Sequence, residues 1–287
     1  MTTVLVTGSG GQVGAALADL AGDPRFDHLE IVTTDRTTLD LADPASIAST
    51  IQRVRPTIVI NAAAYTAVDA AEDDEANAMA ANADGVRVLA EHCAAQQARL
   101  LHLSTDYVFD GTKADWYVED DPIAPLGAYG RSKAAGEAAA RVCADHLILR
   151  TAWVYAATGH NFVKTMLRLG AERDELRVVA DQVGCPTSAH DIADGLLRLA
   201  DDPITGTFHL AGADATSWHG FASAIFDEAG FTVAVEPIAT VDYPTPAPRP
   251  ANSRLASDAL AAATGVRLPG YTDSLPGVVR AILDSES

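Results

Sequence analysis

The first twenty residues combine a strand, a glycine-rich turn and a helix, and this combination restricts the fold more than any other feature. An apolar, β-branched run at residues 4–7 precedes Gly8, Gly11 and Gly14, and residues 15–20 favour a helix. Glycines at this spacing allow a tight turn and a close approach of the backbone to a pyrophosphate, with a helix N-terminus directed at its charge. The segment therefore predicts the first unit of a dinucleotide-binding fold.

Strands and helices alternate as far as residue 155. Apolar strand-like runs recur near residues 31–36, 57–61, 100–105 and 147–151, with helix-forming stretches between them. This order predicts an α/β fold with a doubly wound parallel (Rossmann) sheet that forms an NAD(P)-binding domain over residues 1–155. Residues 156–287 are predicted to form mainly a smaller C-terminal substrate-binding subdomain, although a strand near residues 207–211 is expected to return to the main sheet. The tail is expected to end in a helix near residues 277–283.

The segment after the second strand bears on the choice of cofactor. Asp35 lies about 20 residues after the glycines, where an acid bonds the ribose hydroxyls of NADH, and Arg36 could receive the additional phosphate of NADPH. The sequence thus leaves NADPH or NADH open. Asp40 and Leu41 could border the adenine, although Asp40 is equally suited to a turn or a helix cap.

Tyr129 and Lys133 are candidate catalytic residues. They are four residues apart in a stretch that favours a helix, so they would share one helical face. An ammonium beside a phenol would lower the phenol pKa from about 10 and allow proton transfer near neutral pH. Thr105 ends an apolar strand, at the edge of a parallel sheet where ligands bind. Thr105 is therefore expected close to Tyr129, with both hydroxyls near one substrate oxygen.

Composition excludes several classes of partner. The 287 residues carry a net charge of −19, which argues against nucleic acid. No apolar run approaches the roughly 20 residues that cross a bilayer, and the N-terminus has no secretory signal, so no membrane partner and a cytoplasmic location are expected. Three widely spaced cysteines suggest buried thiols rather than disulfides or a metal site.

Several stretches together resemble one enzyme family. A serine or threonine, a tyrosine and a lysine in this order are typical of the short-chain dehydrogenase/reductase superfamily, and the glycine spacing is that of its extended members. Within that superfamily the chain closely resembles the dTDP-4-dehydrorhamnose reductases. The stretches that carry the resemblance are residues 8–14, 61–69, 104–109, 129–133, 150–155, 161–162, 181–187 and 249–255.

The resemblance implies roles for individual residues. It implies cofactor contacts for Gly11, Gln12, Val13, Asp35, Asp40, Leu41, Ala64, Tyr65 and Thr66, with Tyr129 and Lys133 also bordering the cofactor. It implies sugar or nucleotide contacts for Thr105, Asp106, Trp153, Arg249, Asn252 and Arg254. Two departures matter: Tyr65 stands where the family often has histidine, and Ala15 and Ala16 stand where some members carry an acid for a Mg²⁺ ion at a dimer interface. No metal is therefore predicted, and the oligomeric state, including a homodimer, is open.

The implied reaction is the NAD(P)H-dependent reduction of the C4 ketone of a dTDP-6-deoxyhexulose, with Tyr129 as proton donor, Lys133 beside it and Thr105 bonded to the developing oxyanion. One alternative is a non-catalytic NADP-binding regulatory subunit of the methionine adenosyltransferase type. Another is a different nucleotide-sugar 4-ketoreductase or an epimerase. Individual residues also have structural alternatives. Asp106 could cap a loop, Trp153 could belong to the core, and Trp218 with His219 could serve only to pack a helix start.

Overall fold

Six parallel strands form the central sheet of the computed structural model, which describes residues 1–285. The strands are β1 (Thr2–Thr7), β2 (Leu29–Thr34), β3 (Ile58–Asn61), β4 (Arg99–Thr105), β5 (His146–Thr151) and β10 (Gly206–His209). Their order is β10-β5-β4-β3-β1-β2, and every neighbouring pair is parallel. The chain reverses direction across the sheet between β1 and β3, so the crevice at their carboxyl ends is the expected ligand site.

Helices cover both faces of this sheet, because its central strands are apolar on both sides. The crossover helices are α1 (Gln12–Asp19), α2 (Pro44–Val54), α3 (Glu75–Met79), α4 (Gly85–Gln96) and α5 (Ala128–Ala140). Leu5 and Val59 pack against α2 and α4, whereas Val4 and Ile60 face α1. The predicted α/β doubly wound sheet is thus confirmed.

A π-helical turn interrupts the long helical segment before β4. Residues Ala80–Asp84 have this geometry and join α3 to α4. The sequence predicted one broken helix or two between residues 69 and 97; the segment has a 3-10 turn at Ala70–Glu72, a break at residues 73–74, and then one helical run to Gln96 that contains this π-helical turn. The π-helical turn directs the buried side chain of Asn82 toward the sheet edge that carries the site.

The second half of the chain forms an apolar cluster of its own, and it also adds a strand to the central sheet and a helix to the core of the first half. Its further elements are β6 (Val154–Tyr155), α6 (Phe162–Glu172), β7 (Glu175–Val179), β8 (Val183–Gly184), β9 (Thr187–Ser188), α7 (Ala189–Leu199), β11 (Thr216–Ser217), α8 (Trp218–Ala229), β12 (Ala234–Ile238), β13 (Asn252–Ser253), α9 (Asp258–Thr264) and α10 (Tyr271–Ser285). Helices α6, α8 and α10 enclose their own apolar cluster. By contrast, α7 packs into the core beside α1, and β10 pairs with β5. The division of the chain at residue 155 stays a prediction.

Two C-terminal helices differ from the sequence-based expectation. Helix α9 was not predicted, and α10 begins at Tyr271 rather than near residue 277. The start was misplaced because Pro276 looks like a first-turn residue, whereas it lies inside the helix. No helix within residues 1–285 is long and apolar enough to cross a membrane.

Candidate active site

A cavity of about 830 Å³ lies at the carboxyl ends of the central strands. The glycine turn after β1 lines one end of the cavity, and Thr105, Tyr129 and Lys133 line the other. A space of this size suits a cofactor and a small substrate. The structure therefore brings the predicted catalytic residues and the predicted nucleotide turn to one continuous site.

The glycine turn is built for close contact with a ligand. Gly8 has a φ of +81°, which disfavours any other residue, and a Cβ there would lie 2.7 Å from the Cα of Ala63. A Cβ on Gly14 would lie 2.0 Å from the carbonyl oxygen of Gly8, so helix α1 can cross β1 closely only with glycine at this position. Gly11 precedes α1 without a side-chain cap, which leaves N–H groups at the helix start free for an anion. Gly11, Gln12 and Val13 line the cavity.

Asp35 and Arg36, the two neighbouring candidates for cofactor contact after β2, lie in different environments. Oδ1 of Asp35 accepts hydrogen bonds from Thr37 and Thr38, which lower the pKa of its carboxyl group. Arg36 is highly exposed, and its Nε lies 3.3 Å from Asp40. Arg36, Asp40 and Leu41 line the cavity, whereas the described lining does not include Asp35. Asp40 also accepts the backbone N–H of Ala42, so it has the turn role as well.

The segment after β3 is fixed to the helix that carries Tyr129. Oδ1 of Asn82 accepts the N–H of Tyr65 at 2.7 Å, and its Nδ2 donates to the carbonyl of Tyr65 and to Ser132 of α5. Ala64, Tyr65 and Thr66 line the cavity. The Tyr65 hydroxyl lies 3.2 Å from Asp74. Asn82 was not predicted from the sequence, since nothing local indicates that an asparagine in this helical stretch faces the site.

Lys133 is buried beneath Tyr129 on α5. Its Nζ donates to the carbonyl oxygen of Leu103 at 2.7 Å, and burial lowers the pKa of the amine to about 8, while Glu137 opposes that change. For Tyr129, burial raises the phenol pKa, the charge of Asp106 adds to the increase, and a hydrogen bond with Thr105 opposes it. The expectation that Lys133 lowers the Tyr129 pKa is therefore wrong for this geometry, because burial dominates and the amine is bonded to a backbone carbonyl.

Asp106 lies directly behind Thr105. The Thr105 hydroxyl donates to Oδ1 of Asp106 at 2.9 Å, and burial raises the pKa of the Asp106 carboxyl group to about 6. The loop cap at this position is Thr105, whose Oγ1 accepts the N–H of Tyr107. Asp106 lines the cavity and is almost fully buried. The side chain of Asp106 thus faces the site, and its sugar contact stays a prediction.

A buried ion pair supports the helix one turn beyond Lys133. Glu137 has no exposed surface, and its carboxylate accepts hydrogen bonds from both Nε and Nη2 of Arg150 at 2.8 Å. Ser104 donates to the same carboxylate at 2.7 Å. The three residues join α5 to β4 and β5. This ion pair was not predicted from the sequence, because Glu137 and Arg150 are 13 residues apart and belong to different elements.

The arginines of the proline-rich loop, residues 240–254, are held by different partners. Arg249 pairs with Asp69 at 2.7 Å. Arg254 donates to Asn252 and to the carbonyl of Ala114. Both polar atoms of the Asn252 amide are bonded within the protein: Oδ1 accepts from Arg254, and Nδ2 donates to the carbonyls of residues 113 and 115. The described cavity lining includes none of Arg249, Asn252 and Arg254. Their contacts with a nucleotide sugar stay predictions.

Trp153 follows β5 and lines the cavity. Its ring stacks on that of Trp218, the first residue of α8. The described residues contain no group of three or more His, Cys, Asp or Glu side chains that could hold a metal ion. The absence of a metal stays a prediction.

The chain is similar to known proteins in both sequence and structure. A sequence profile of the family described as "RmlD substrate binding domain" matches residues 1–283. A dTDP-4-dehydrorhamnose reductase of Sinorhizobium fredii is 47% identical over 290 residues, covering 97% of each chain. The crystal structure of a dTDP-4-dehydrorhamnose reductase from Clostridium acetobutylicum has a TM-score of 0.94 and 37% identity, covering 98% of this chain and 100% of that one. A Bacillus anthracis dTDP-4-dehydrorhamnose reductase in complex with NADP has a TM-score of 0.92 and 36% identity, covering 97% and 99%.

Proposed function

The chain belongs to the dTDP-4-dehydrorhamnose reductase family, and we propose that Tyr129 is the residue that protonates the sugar oxygen during reduction. The protein is an NAD(P)H-dependent oxidoreductase that converts dTDP-4-dehydro-L-rhamnose into dTDP-L-rhamnose. The main support for the role of Tyr129 is its position beside Thr105 and Lys133, in the cavity that also contains the glycine turn.

The residues present fit a nicotinamide dinucleotide. Gly8 and Gly14 allow the turn and α1 to pack closely against the neighbouring backbone, and Gly11, Gln12 and Val13 would hold a pyrophosphate at the start of α1. Arg36 borders the cavity while Asp35 is bonded to its own loop, which favours NADPH over NADH. When bound, the reduced nicotinamide supplies the hydride that is added to C4 of the sugar.

The protonation states suit a proton donor. Since burial raises the Tyr129 pKa, the phenol is neutral at pH 7 and carries the proton that the reduced sugar oxygen must receive. Lys133, with a pKa of about 8, is still mainly a cation at pH 7 and lines the cavity, where it would bond the nicotinamide ribose. Thr105 is hydrogen-bonded to Tyr129, and it would stabilise the developing negative charge by directing its hydroxyl proton at the sugar oxygen instead of at Asp106.

Replacement of Tyr129 by phenylalanine tests the proposal. We expect Tyr129→Phe to lower kcat by about 10²–10⁴-fold, because the proton donor is lost while the ring is retained. Equilibrium titration with NADPH should give an unchanged Kd. Tyr117→Phe is the matched control, since the Tyr117 phenol is buried and bonded to Asp110 away from the cavity. Full turnover by Tyr129→Phe would eliminate this residue as the donor.

The loss of NADPH absorbance on addition of dTDP-4-dehydro-L-rhamnose separates the remaining alternatives. A reductase of this sugar consumes NADPH, whereas a non-catalytic cofactor-binding relative binds NADPH without consuming it. A reductase of another nucleotide sugar would require a different ketone. The cytoplasmic location and a homodimer stay predictions, and analytical ultracentrifugation would test the homodimer.

A further inference from the structure

Trp153 has a strained backbone at the edge of the cavity. Its φ is +48°, in the left-handed region that a tryptophan seldom adopts. Such a conformation is strained and persists only where surrounding contacts impose it. Trp153 lines the same cavity as Thr105 and Tyr129. The contacts that impose this conformation therefore also determine the shape of the site.

Two residues hold the indole of Trp153. The Trp218 ring lies parallel to it, with centroids 3.5 Å apart and planes inclined by 4°. Gly184 lies against the indole as well: a Cβ on Gly184 would be 2.4 Å from ring atom Cε2 of Trp153. Neither Trp218 nor Gly184 belongs to the described lining of the cavity. Both act on the cavity only through Trp153.

Trp218 is itself fixed by further contacts. Its Nε1 donates to Oε1 of Gln182 at 3.1 Å, and Nε2 of Gln182 donates to Thr240 at 3.0 Å. Phe162 packs against the Trp218 ring, with centroids 4.6 Å apart. The position of Trp153 thus depends on α8 and on the start of the proline-rich loop, two segments that are distant from it in sequence.

We propose that Trp218 is a positioning residue for sugar binding, which acts by holding the Trp153 indole as a rigid apolar wall beside Tyr129. This inference rests on the proposed function. The C–H groups and the methyl group of a 6-deoxyhexose suit an apolar aromatic wall, and a fixed wall loses no conformational entropy when the sugar binds. Trp218 thereby governs the affinity for the sugar nucleotide, whereas cofactor binding and the proton transfer from Tyr129 do not depend on it.

The variant Trp218→Leu removes the stacked ring and keeps an apolar side chain at the start of α8. We expect KM for dTDP-4-dehydro-L-rhamnose to rise about tenfold or more, since loss of the aromatic contact and of the fixed indole together exceeds about 1.4 kcal/mol. We expect kcat to change less than about threefold and the NADPH Kd to stay unchanged. Trp218→Phe, which can still stack on Trp153, should restore most of the affinity.

Phe226→Leu is the matched control. Phe226 is buried on the same helix and packs near Gly170, so its loss weakens α8 without removing a ring from Trp153. This variant should lower the melting temperature and leave KM unchanged. The inference is overturned if Trp218→Leu has a normal KM, if its kcat falls as much as its KM rises, or if Phe226→Leu raises KM equally.

Calorimetric binding of dTDP-L-rhamnose separates this inference from the proposed function. Binding without turnover by the wild type overturns only the function, and wild-type affinity in Trp218→Leu overturns only the role of Trp218.

Discussion

Asp106 is a carboxyl group with almost no solvent contact, bonded to Thr105 and close enough to Tyr129 for its charge to act on the phenol. Its burial raises its own pKa to about 6, and its negative charge helps to raise the pKa of Tyr129. The ionised form accepts the only proton of the Thr105 hydroxyl. The charge of Asp106 therefore influences both hydroxyls that are expected to contact the sugar oxygen.

The raised pKa of Asp106 predicts a pH-dependent stability. The folded protein retains this proton up to about pH 6, whereas the unfolded chain loses it near 3.8, so ionisation costs stability as the pH rises between these values. We expect the free energy of unfolding of Asp106→Asn, relative to wild type, to increase by about 3 kcal/mol between pH 3.8 and 7. Urea denaturation at several pH values measures this difference.

Asp110→Asn is the control for this measurement. Hydrogen bonds from Thr112 and Tyr117 lower the pKa of Asp110, so its ionised form is the stabilised one and its effect has the opposite sign. A difference between wild type and Asp106→Asn that stays constant over this pH range would contradict the burial of a titrating carboxyl group.

The spacing of β1 and α1 determines whether a dinucleotide can approach the backbone. Gly14 makes this spacing possible, because a methyl group there would overlap the carbonyl of Gly8. Gly10 belongs to the same turn, but a Cβ at this position would have no atom within 4 Å. The two glycines therefore differ in their structural importance, and only Gly14 belongs to the glycine spacing that predicts the turn.

We expect Gly14→Ala to lower the free energy of unfolding by about 1–3 kcal/mol, because the helix must move away from the strand. The same movement should weaken NADPH binding, as measured by fluorescence titration. Gly10→Ala is the matched control and should leave the free energy of unfolding nearly unchanged. Equal losses of stability in both variants would mean that close packing of α1 on β1 is not the reason for Gly14.

Asn161 connects the two halves of the molecule at the cofactor turn. Its Nδ2 donates to Oε1 of Gln12 at 2.9 Å and to the carbonyl of Ala156 at 2.8 Å, while its Oδ1 caps α6 by accepting the N–H of Lys164. A residue of the second half therefore fixes a side chain that is expected to meet the cofactor phosphates. This contact predicts that cofactor binding and the packing of α6 are coupled.

The variant Asn161→Asp keeps the cap of α6 but removes the hydrogen bond to Gln12. A carboxylate still caps the helix, but it cannot donate to Gln12 and would add negative charge near the phosphates. We expect the NADPH Kd to rise roughly tenfold, since the hydrogen bond to Gln12 contributes about 1 kcal/mol and charge repulsion adds to its loss. The melting temperature should fall as well, because the bond to the Ala156 carbonyl is also lost. Ser217→Ala, which removes the cap of α8, should lower the melting temperature and leave the NADPH Kd unchanged. An unaltered NADPH Kd in Asn161→Asp would disprove the coupling.

The sequence by itself determined the features that depend on neighbouring residues. Alternating apolar runs and helix formers predicted the parallel sheet, and the spacing of Gly8, Gly11 and Gly14 predicted the turn before α1. The four-residue separation of Tyr129 and Lys133 predicted a shared helical face, because helix geometry is local.

Only the tertiary structure decided the environment of these residues. The burial that raises the Tyr129 pKa, the engagement of Arg249 by Asp69 and the stacking of Trp218 on Trp153 each depend on segments distant in sequence. Desolvation and long-range contacts arise only when the chain is packed. A local sequence pattern does not indicate which distant residues will surround a given side chain.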